Sequence, residues 1–246
     1  MWTRKELKAQ AKAALKRSYW KIVLMTTVFL ALLSRVGNMG SSNLALLHYG
    51  STETGRIWDW ALKFLPSEMV AAMLVIAWVA IVAGIVIDIL LVNPIEVSFA
   101  AFRMNALRDK ARVSDMGRGF DVSYKRNVGT LFFVGLYTTL WTLLLVIPGI
   151  VKSLEYSMIP YLLADHPEMT RKEAFAASKA MMKGNKWKAF VLDLSFILWS
   201  MLGALTFGIV SLLYVQPYRQ LTRAALYEKL KALSQTSETQ SAAQNA

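Results

Sequence analysis

"LLLVIPGIVKSLEYSMIPYLLAD", residues 143–165, decides how this chain is organised. It ends an apolar block that begins near residue 129 and is about 37 residues long. A helix of about 20 residues already crosses the roughly 30 Å hydrocarbon core of a bilayer. Pro148-Gly149 lies at the middle of the block, and Pro-Gly is a strong turn signal. The block therefore predicts two antiparallel spans, 129–147 and 150–165, joined by a tight external turn.

Further apolar runs elsewhere in the chain are also long enough to cross a bilayer. They cover residues 20–36, 68–92, 187–204 and 206–224. Because proline lacks an amide donor and clashes with the preceding turn, we expect helix breaks at the prolines. These positions are Asn93-Pro94, Pro148-Gly149, Pro160 and Pro217. The sequence predicts an all-α polytopic membrane protein with six transmembrane helices, in a membrane domain of residues 20–232.

The charge pattern orients these spans. The chain is 55% hydrophobic with a mean hydropathy of +0.39, and its formal net charge is +12. Its basic residues flank apolar runs, which favours anionic lipid headgroups at the cytoplasmic face over nucleic acid as a partner. Of the 28 Lys and Arg residues, 24 fall in segments that the six spans place inside, namely 1–21, 103–126, 171–188 and 219–231. We therefore predict a multi-pass plasma-membrane protein with both termini in the cytoplasm.

Segments outside the spans have distinct predicted roles. Residues 1–19 form a basic amphipathic helix, with Thr3 and Glu6 as a capping box at its start. A second capping box, Thr170 and Glu173, begins another amphipathic helix. Both helices are expected to lie on the inner membrane surface. The Ser-, Gln- and Ala-rich segment 233–246 is expected to be a disordered tail.

Charges inside the spans are the first candidates for a functional site, since a charge at the bilayer centre costs about 2.5–3.5 kcal/mol on insertion scales. Asp88 and Asp193 fall at a similar depth on the cytoplasmic side, and Arg219 and Arg223 reach that level from the last span. The four residues form a candidate intramembrane polar cluster. Interhelical ion pairs and a polar pathway are both compatible with this pattern.

A second pair of charges lies in the opening stretch. Lys152 and Glu155 are three residues apart, so they share a helix face and can pair. The external turn places them at the outer edge of span 150–165, as an outer-leaflet pair or a ligand site. Pro160 within that span frees a backbone carbonyl about one turn earlier, which must find another donor.

Catalytic and metal chemistry lack their usual residues. The chain has no cysteine, and its two histidines, His48 and His166, fall on opposite sides of the predicted membrane. No phosphate-binding loop, zinc-protease or hydrolase motif occurs. We therefore predict no catalytic residues, no metal site and no cofactor.

Several motifs in the second half of the chain resemble a known family. They are the Pro-Gly at 148–149, Tyr156 with Pro160-Tyr161, "SKAMMKG" at 178–184 and Pro217-Tyr218. Together with the opening "ELKAQAKAALKRSYWK", they are similar to the bacterial membrane-protein family known as domain of unknown function 975. The resemblance extends from about residue 5 to 232. It implies a polytopic plasma-membrane protein of bacteria and no established activity.

Three functions are compatible with this sequence. The first is a non-enzymatic structural, regulatory or partner-binding component of the membrane, with a membrane protein as a possible partner. The second is a transporter or permease component with an inner-leaflet polar site, because its helices are broken and bear charges. The third is an intramembrane enzyme that acts on lipid.

Overall fold

The computed structural model describes residues 2–30, 66–121, 123–206 and 208–244. These residues are almost entirely helical, and none of them forms a strand. The all-α prediction is therefore confirmed over this part of the chain. The chain divides into two compact units, residues 30–92 and residues 1–29 with 93–246. Span 20–36 is described only to residue 30, and the external loop predicted before span 68–92 lies outside the described residues.

The α-helices of the described ranges follow one another along the chain from α1 to α10. They are α1 (Arg4–Arg17), α2 (Tyr19–Leu30), α3 (Ser67–Leu107), α4 (Tyr124–Leu144), α5 (Val146–Tyr156), α6 (Ile159–Asp165), α7 (Arg171–Met182), α8 (Lys186–Leu194), α9 (Ile197–Leu205) and α10 (Gln216–Gln244). A 3-10 helix, Val113–Phe120, follows α3, and a π-helical turn, Ser211–Val215, precedes α10.

Two helices within the described ranges are long and apolar enough to cross a membrane, α3 and α4. Helix α3 exposes its apolar side chains along the 18-residue window that passes this test, none of which is buried. Helix α4 is partly covered near its start, where Asn127, Val128, Thr130 and Leu131 are buried.

Helix α3 does not break at Asn93-Pro94, contrary to the sequence prediction. Hydrogen bonds from two of its own side chains and a close contact with the 3-10 helix hold this part of the helix. Asn93 Nδ2 donates to the Val128 carbonyl at 3.2 Å, and Ser98 Oγ donates to the Pro94 carbonyl at 3.0 Å. Gly119 lies so close that an added Cβ would be 1.8 Å from the Pro94 oxygen. Tertiary packing therefore compensates for the local cost of a proline inside a helix.

The predicted hairpin is present, but its turn comes earlier than Pro148-Gly149. Helix α4 ends at Leu144, Leu145 is extended, and α5 begins at Val146. Pro148 then occupies the first turn of α5, where a missing amide donor costs no intrahelical bond. Gly149 faces α4 so closely that a Cβ would lie 2.2 Å from Thr142 Oγ1. The glycine thus permits close approach of α4 and α5. We call this pair of helices the apolar hairpin.

Pro160 ends one helix and starts another, so span 150–165 is not a single helix. Helix α5 stops at Tyr156, and Pro160 lies in the first turn of α6. Two carbonyls beside the break accept hydrogen bonds from hydroxyl groups. Ser157 Oγ donates to the Leu154 carbonyl at 2.7 Å, and Ser178 Oγ of α7 donates to the Glu155 carbonyl at 2.6 Å. The buried break is therefore stabilised from outside its own helix.

Span 187–204 is also interrupted, and span 206–224 begins irregularly. Helix α8 stops at Leu194 and α9 starts at Ile197. The π-helical turn lies just before Pro217, and Leu213 is four residues before that proline. Its carbonyl accepts a hydrogen bond from the Tyr19 hydroxyl at 3.3 Å. The predicted disturbance at Pro217 thus takes the form of a π-turn.

The core surrounds α6 and the first half of α10. All residues of α6 from Ile159 to Ala164 are buried, and Tyr227 of α10 stacks on Tyr161 with ring centroids 5.5 Å apart. The Tyr227 hydroxyl donates to Asp165 Oδ2 at 2.9 Å, and Lys231 pairs with the same carboxylate. Burial, together with the Asp165 charge, raises the pKa of Tyr227.

The two predicted surface helices bury their apolar faces inside the protein and not in lipid. Helix α1 packs against α10 with Leu7, Ala11, Ala14 and Leu15 buried, and Glu6 pairs with Lys229 at 2.6 Å. Helix α7 packs against α5 and α6 through Ala174, Ser178 and Met182. The second capping box is complete, with Thr170 and Glu173 each bonding the other's backbone. In the first capping box, the Thr3 side chain accepts a hydrogen bond from the Glu6 amide, but the Glu6 carboxylate binds Lys229 and not the Thr3 amide.

Helix α10 continues to Gln244. Composition alone favours disorder from residue 233, so this segment differs from our expectation. Ala232, Leu233 and Gln235 are exposed. The helix therefore extends the buried part of α10 by uninterrupted backbone hydrogen bonding, since propagating a helix is easier than nucleating one.

Candidate functional site

Two adjoining recesses in the unit of residues 1–29 and 93–246 form one polar site, which we call the arginine cavity. The larger recess has a volume of about 570 Å³ and the smaller about 190 Å³. Both are lined by Glu96, Ser157, Pro160, Arg219 and Arg223. Asp193 joins the lining of the larger recess, and Arg103 that of the smaller.

Helix periodicity places these charged residues on the helix faces that line the cavity. Arg219 and Arg223 are four residues apart on α10, so they share a face. Glu96 and Arg103 are seven residues apart on α3, which is two turns along one face because α3 is continuous. Asp193 lies one residue before the end of α8. Helices α3, α8 and α10 therefore contribute charges to the same cavity.

Asp193 and Arg223 form the strongest ion pair in the site. Arg223 Nε donates to Oδ1 at 3.2 Å, and Arg223 Nη2 donates to Oδ2 at 2.9 Å. This two-pronged arrangement is the geometry that a guanidinium prefers with a carboxylate. Arg219 Nε approaches the same carboxylate at 3.5 Å without hydrogen-bond alignment. One carboxylate is thus shared by two guanidinium groups.

Arg103 is held differently. Its Nη1 donates to the Tyr161 hydroxyl at 3.4 Å, and its guanidinium lies 5.3 Å from the ring of Phe29 and 5.9 Å from that of Phe99. Within the described ranges, no carboxylate approaches Arg103 within 4 Å. Aromatic faces attract a cation without neutralising it. The Arg103 charge beside the cavity therefore has no direct ion pair in this part of the chain.

Some polar atoms at the cavity are buried but have no hydrogen-bond partner among the described residues. They are Arg103 Nε, Arg219 Nε and Gln220 Oε1. Buried polar groups are almost always paired, so these three atoms are free to form a further hydrogen bond. The larger recess adds an apolar wall, formed by Leu131, Val134, Ile150 and Phe190.

The structure brings together three of the four residues of the predicted polar cluster, Asp193, Arg219 and Arg223. The side chain of Asp88, the fourth, lies outside the part of the chain that the structure describes. Sequence reasoning missed Glu96 and Arg103. The seven-residue spacing could have revealed them, but a helix break expected at Pro94 separated them from the span.

The predicted pair of Lys152 and Glu155 exists, with Lys152 Nζ 3.2 Å from Glu155 Oε1. However, Lys186 also contacts this carboxylate, with Nζ 2.5 Å from Oε2. The charge pattern predicts a cytoplasmic position for Lys186, whereas the external turn predicts an outer-leaflet position for Glu155. Because the two side chains are in contact, these two predictions exclude each other. The physical reason is that Glu155 lies only nine residues after Val146, about 14 Å along α5, which is less than half of the hydrocarbon core.

No group of three or more His, Asp or Glu side chains in the described ranges could hold a metal ion. The prolines that sequence reasoning marked as breaks contribute to the site in one case: Pro160 lines both recesses of the cavity.

A protein-family model described as "Protein of unknown function (DUF975)" matches residues 61–234. The match covers more than half of the chain, so the chain belongs to this family. It includes the apolar hairpin and the residues that line the arginine cavity other than Phe29, but not the opening "ELKAQAKAALKRSYWK". No curated protein and no solved structure matches the chain.

Proposed function

We propose that this member of the DUF975 family is a multi-pass protein of the plasma membrane that acts by binding, without catalysis, at the arginine cavity. In this proposal, six apolar segments are embedded in the membrane, and both termini are cytoplasmic. Two observations support the membrane location: α3 is apolar and exposed, and basic residues cluster beside the apolar segments. Six complete spans stay a prediction.

The observation that supports a binding role best is the set of unpaired buried polar atoms at the cavity, especially Arg103 Nε. A purely structural ion-pair network would satisfy its own donors. Asp193 is already paired with Arg223 and approached by Arg219, which disfavours it as the ligand of a coupling cation. The excess of guanidinium groups over carboxylates favours an anion.

Native mass spectrometry of the full chain, extracted in a mild detergent, tests this role. We expect a bound small molecule or lipid on the wild-type protein and its loss in Arg103→Gln. The matched control is Arg108→Gln, which removes the same charge from an exposed pair with Glu228. Retention of the same adduct by Arg103→Gln, folded as the wild type, would contradict a binding role for the cavity.

The membrane arrangement has a separate test. Because the chain has no cysteine, single cysteines can be introduced and labelled with a membrane-impermeant maleimide in intact cells. Lys110→Cys, in an exposed turn after α3, should be protected in intact cells and labelled in inside-out vesicles. Labelling in intact cells would overturn the cytoplasmic assignment.

A transporter component is the second candidate. It is favoured because the break between α5 and α6 lies at the cavity, where Ser157 and Pro160 line it. Broken helices at a polar site are common in transporters. Uptake of the anion by reconstituted vesicles that depends on Arg103 would favour this candidate over binding alone.

A further inference from the structure

We propose that the arginine cavity binds the oxyanion head of an anionic amphiphile, a phosphate or carboxylate that carries an apolar chain, from the cytoplasmic leaflet. This proposal deepens the binding role proposed above and rests on it.

The excess of positive charge at the cavity favours an anionic ligand. Three guanidinium groups face two carboxylates, Glu96 and Asp193, and Arg103 has no carboxylate within 4 Å among the described residues. Arginine is well suited to phosphate and carboxylate because its donors form a planar fork. Gln220 can rotate its amide to donate to the same oxyanion. These donors lie at the smaller recess, which is therefore the seat of the head.

The apolar wall of the larger recess favours a ligand that carries an alkyl chain. Leu131, Val134, Ile150 and Phe190 line the larger recess, which continues from the smaller one. A free inorganic anion would leave this wall in contact with water, whereas an alkyl chain would cover it. A volume of about 570 Å³ lies within the usual range for small-molecule sites. The cavity therefore fits a head with the first part of its chain.

Binding of hexadecyl phosphate to the full-length protein in a nonionic detergent tests the proposal. We expect one molecule per chain, with at least about tenfold weaker binding for inorganic phosphate and for zwitterionic hexadecylphosphocholine. Equal affinity for inorganic phosphate would overturn the amphiphile in favour of a soluble anion. Failure of hexadecyl phosphate, while a native adduct is still found, would overturn this ligand class and leave the binding role intact.

Variants separate the head from the chain. Arg103→Gln should weaken hexadecyl phosphate binding at least about tenfold, and Arg103→Lys should weaken it less. Val134→Phe narrows the apolar wall and should weaken hexadecyl phosphate while leaving inorganic phosphate unchanged. Arg108→Gln should match the wild type. If Arg103→Gln and Val134→Phe both bind hexadecyl phosphate as tightly as the wild type, the site lies elsewhere and the proposal is wrong.

A different observation points to the depth of the apolar hairpin: we infer that α4 and α5 enter the cytoplasmic half of the bilayer and return without crossing it, in place of the two complete crossings that the sequence predicts for 129–147 and 150–165. This inference rests on the cytoplasmic position of α7 in the proposed arrangement. Tyr137 of α4 and Tyr156 of α5 both contact the ring of Phe175 on α7, with centroids 5.8 and 4.9 Å away. Arg171 of the same helix lies 4.0 Å from the ring of Phe133.

The part of the apolar hairpin between its contacts with α7 and its turn is short, and no charged residue occurs from Tyr137 to Val151. From Tyr137 to Leu144 is seven residues, about 11 Å of helix, whereas the hydrocarbon core is about 30 Å thick. The tip is apolar and exposed, with Leu143 83% and Ile147 77% exposed. An apolar tip suits hydrocarbon and not the aqueous outer face.

A fluorophore at the tip tests this depth. The Ile147→Cys protein is labelled with a nitrobenzoxadiazole probe in detergent and then reconstituted. We expect slow reduction by dithionite from either side of the vesicle and strongest quenching by lipids spin-labelled near the end of the acyl chain. Lys110→Cys, treated in the same way, should be reduced rapidly. Rapid reduction of the Ile147 probe from the side opposite to the Lys110 probe would show a complete crossing and overturn the inference.

Discussion

The buried half of α10 and the first part of α3 use similar apolar residues in opposite ways. Leu221 and Tyr227 of α10 are fully buried by other parts of the protein. In α3, residues of the same kind, such as Leu74 and Ile76, are about two-thirds exposed. Helix α10 is therefore covered by protein, whereas the first part of α3 leaves its apolar surface uncovered. Apolarity alone thus does not say which surroundings cover a helix.

Truncating a buried residue should show the largest difference between the regions. Leu221→Ala should lower the free energy of unfolding by about 2–5 kcal/mol, because it leaves a cavity in a packed core. Leu74→Ala is the matched control and should change it by less than about 0.5 kcal/mol in detergent. Thermal unfolding of the purified chain measures both. Equal losses would mean that the exposed face of α3 is packed against something in solution.

A charge in the exposed region should affect insertion and not packing. Ile76→Lys should raise the cost of inserting α3 by up to about 2.5–3.5 kcal/mol, since it places a cation inside the apolar part of the span. The amount of chain recovered in the membrane fraction measures the effect. Glu68→Lys, in the first turn of α3, is the control and should insert normally. Normal recovery of Ile76→Lys would argue against α3 as a span.

The buried helix break should be sensitive to one hydroxyl. Ser178→Ala removes the donor to the Glu155 carbonyl, and a buried acceptor without a partner costs about 1–3 kcal/mol. The expected result is a lower unfolding midpoint. Ser153→Ala, whose hydroxyl bonds a carbonyl of its own helix, is the control and should have little effect. Identical midpoints for both variants would show that water replaces Ser178.

The smallest effect should come from the exposed cap of α7. Hydrogen bonds from the Thr170 backbone and side chain hold the pKa of Glu173 below its usual range. Because the folded pKa lies below the unfolded one, the cap stabilises above about pH 4 and is lost as the pH falls through the folded pKa. Glu173→Gln should therefore lower the unfolding midpoint slightly at pH 7, and the difference should shrink as the pH falls below about 4. Glu168→Gln removes the same charge from a residue outside the capping box, so it should not show this pH-dependent difference in unfolding midpoint from the wild type.

Much of the fold follows from local patterns. Apolar runs and Pro148-Gly149 predict helices and a hairpin, although the turn itself lies three residues earlier, at Leu145. The Thr170–Glu173 spacing predicts the start of α7. These features depend on neighbours along the chain, so sequence suffices for them. The candidate site is only half predictable. Asp193, Arg219 and Arg223 stand out as charges in apolar runs, whereas Arg103 looks like one more basic residue after a span.

Residue types and their order are enough to predict that the chain is helical, that its apolar runs need covering, and that its basic residues lie beside those runs. Contacts between distant residues set which runs are buried by protein and which charges pair. Such contacts join Lys186 to Glu155 across 31 positions and keep α3 intact through Pro94. The physical reason is that a charge or a proline has a cost fixed by its residue type, while the partner that offsets that cost lies far away in the chain.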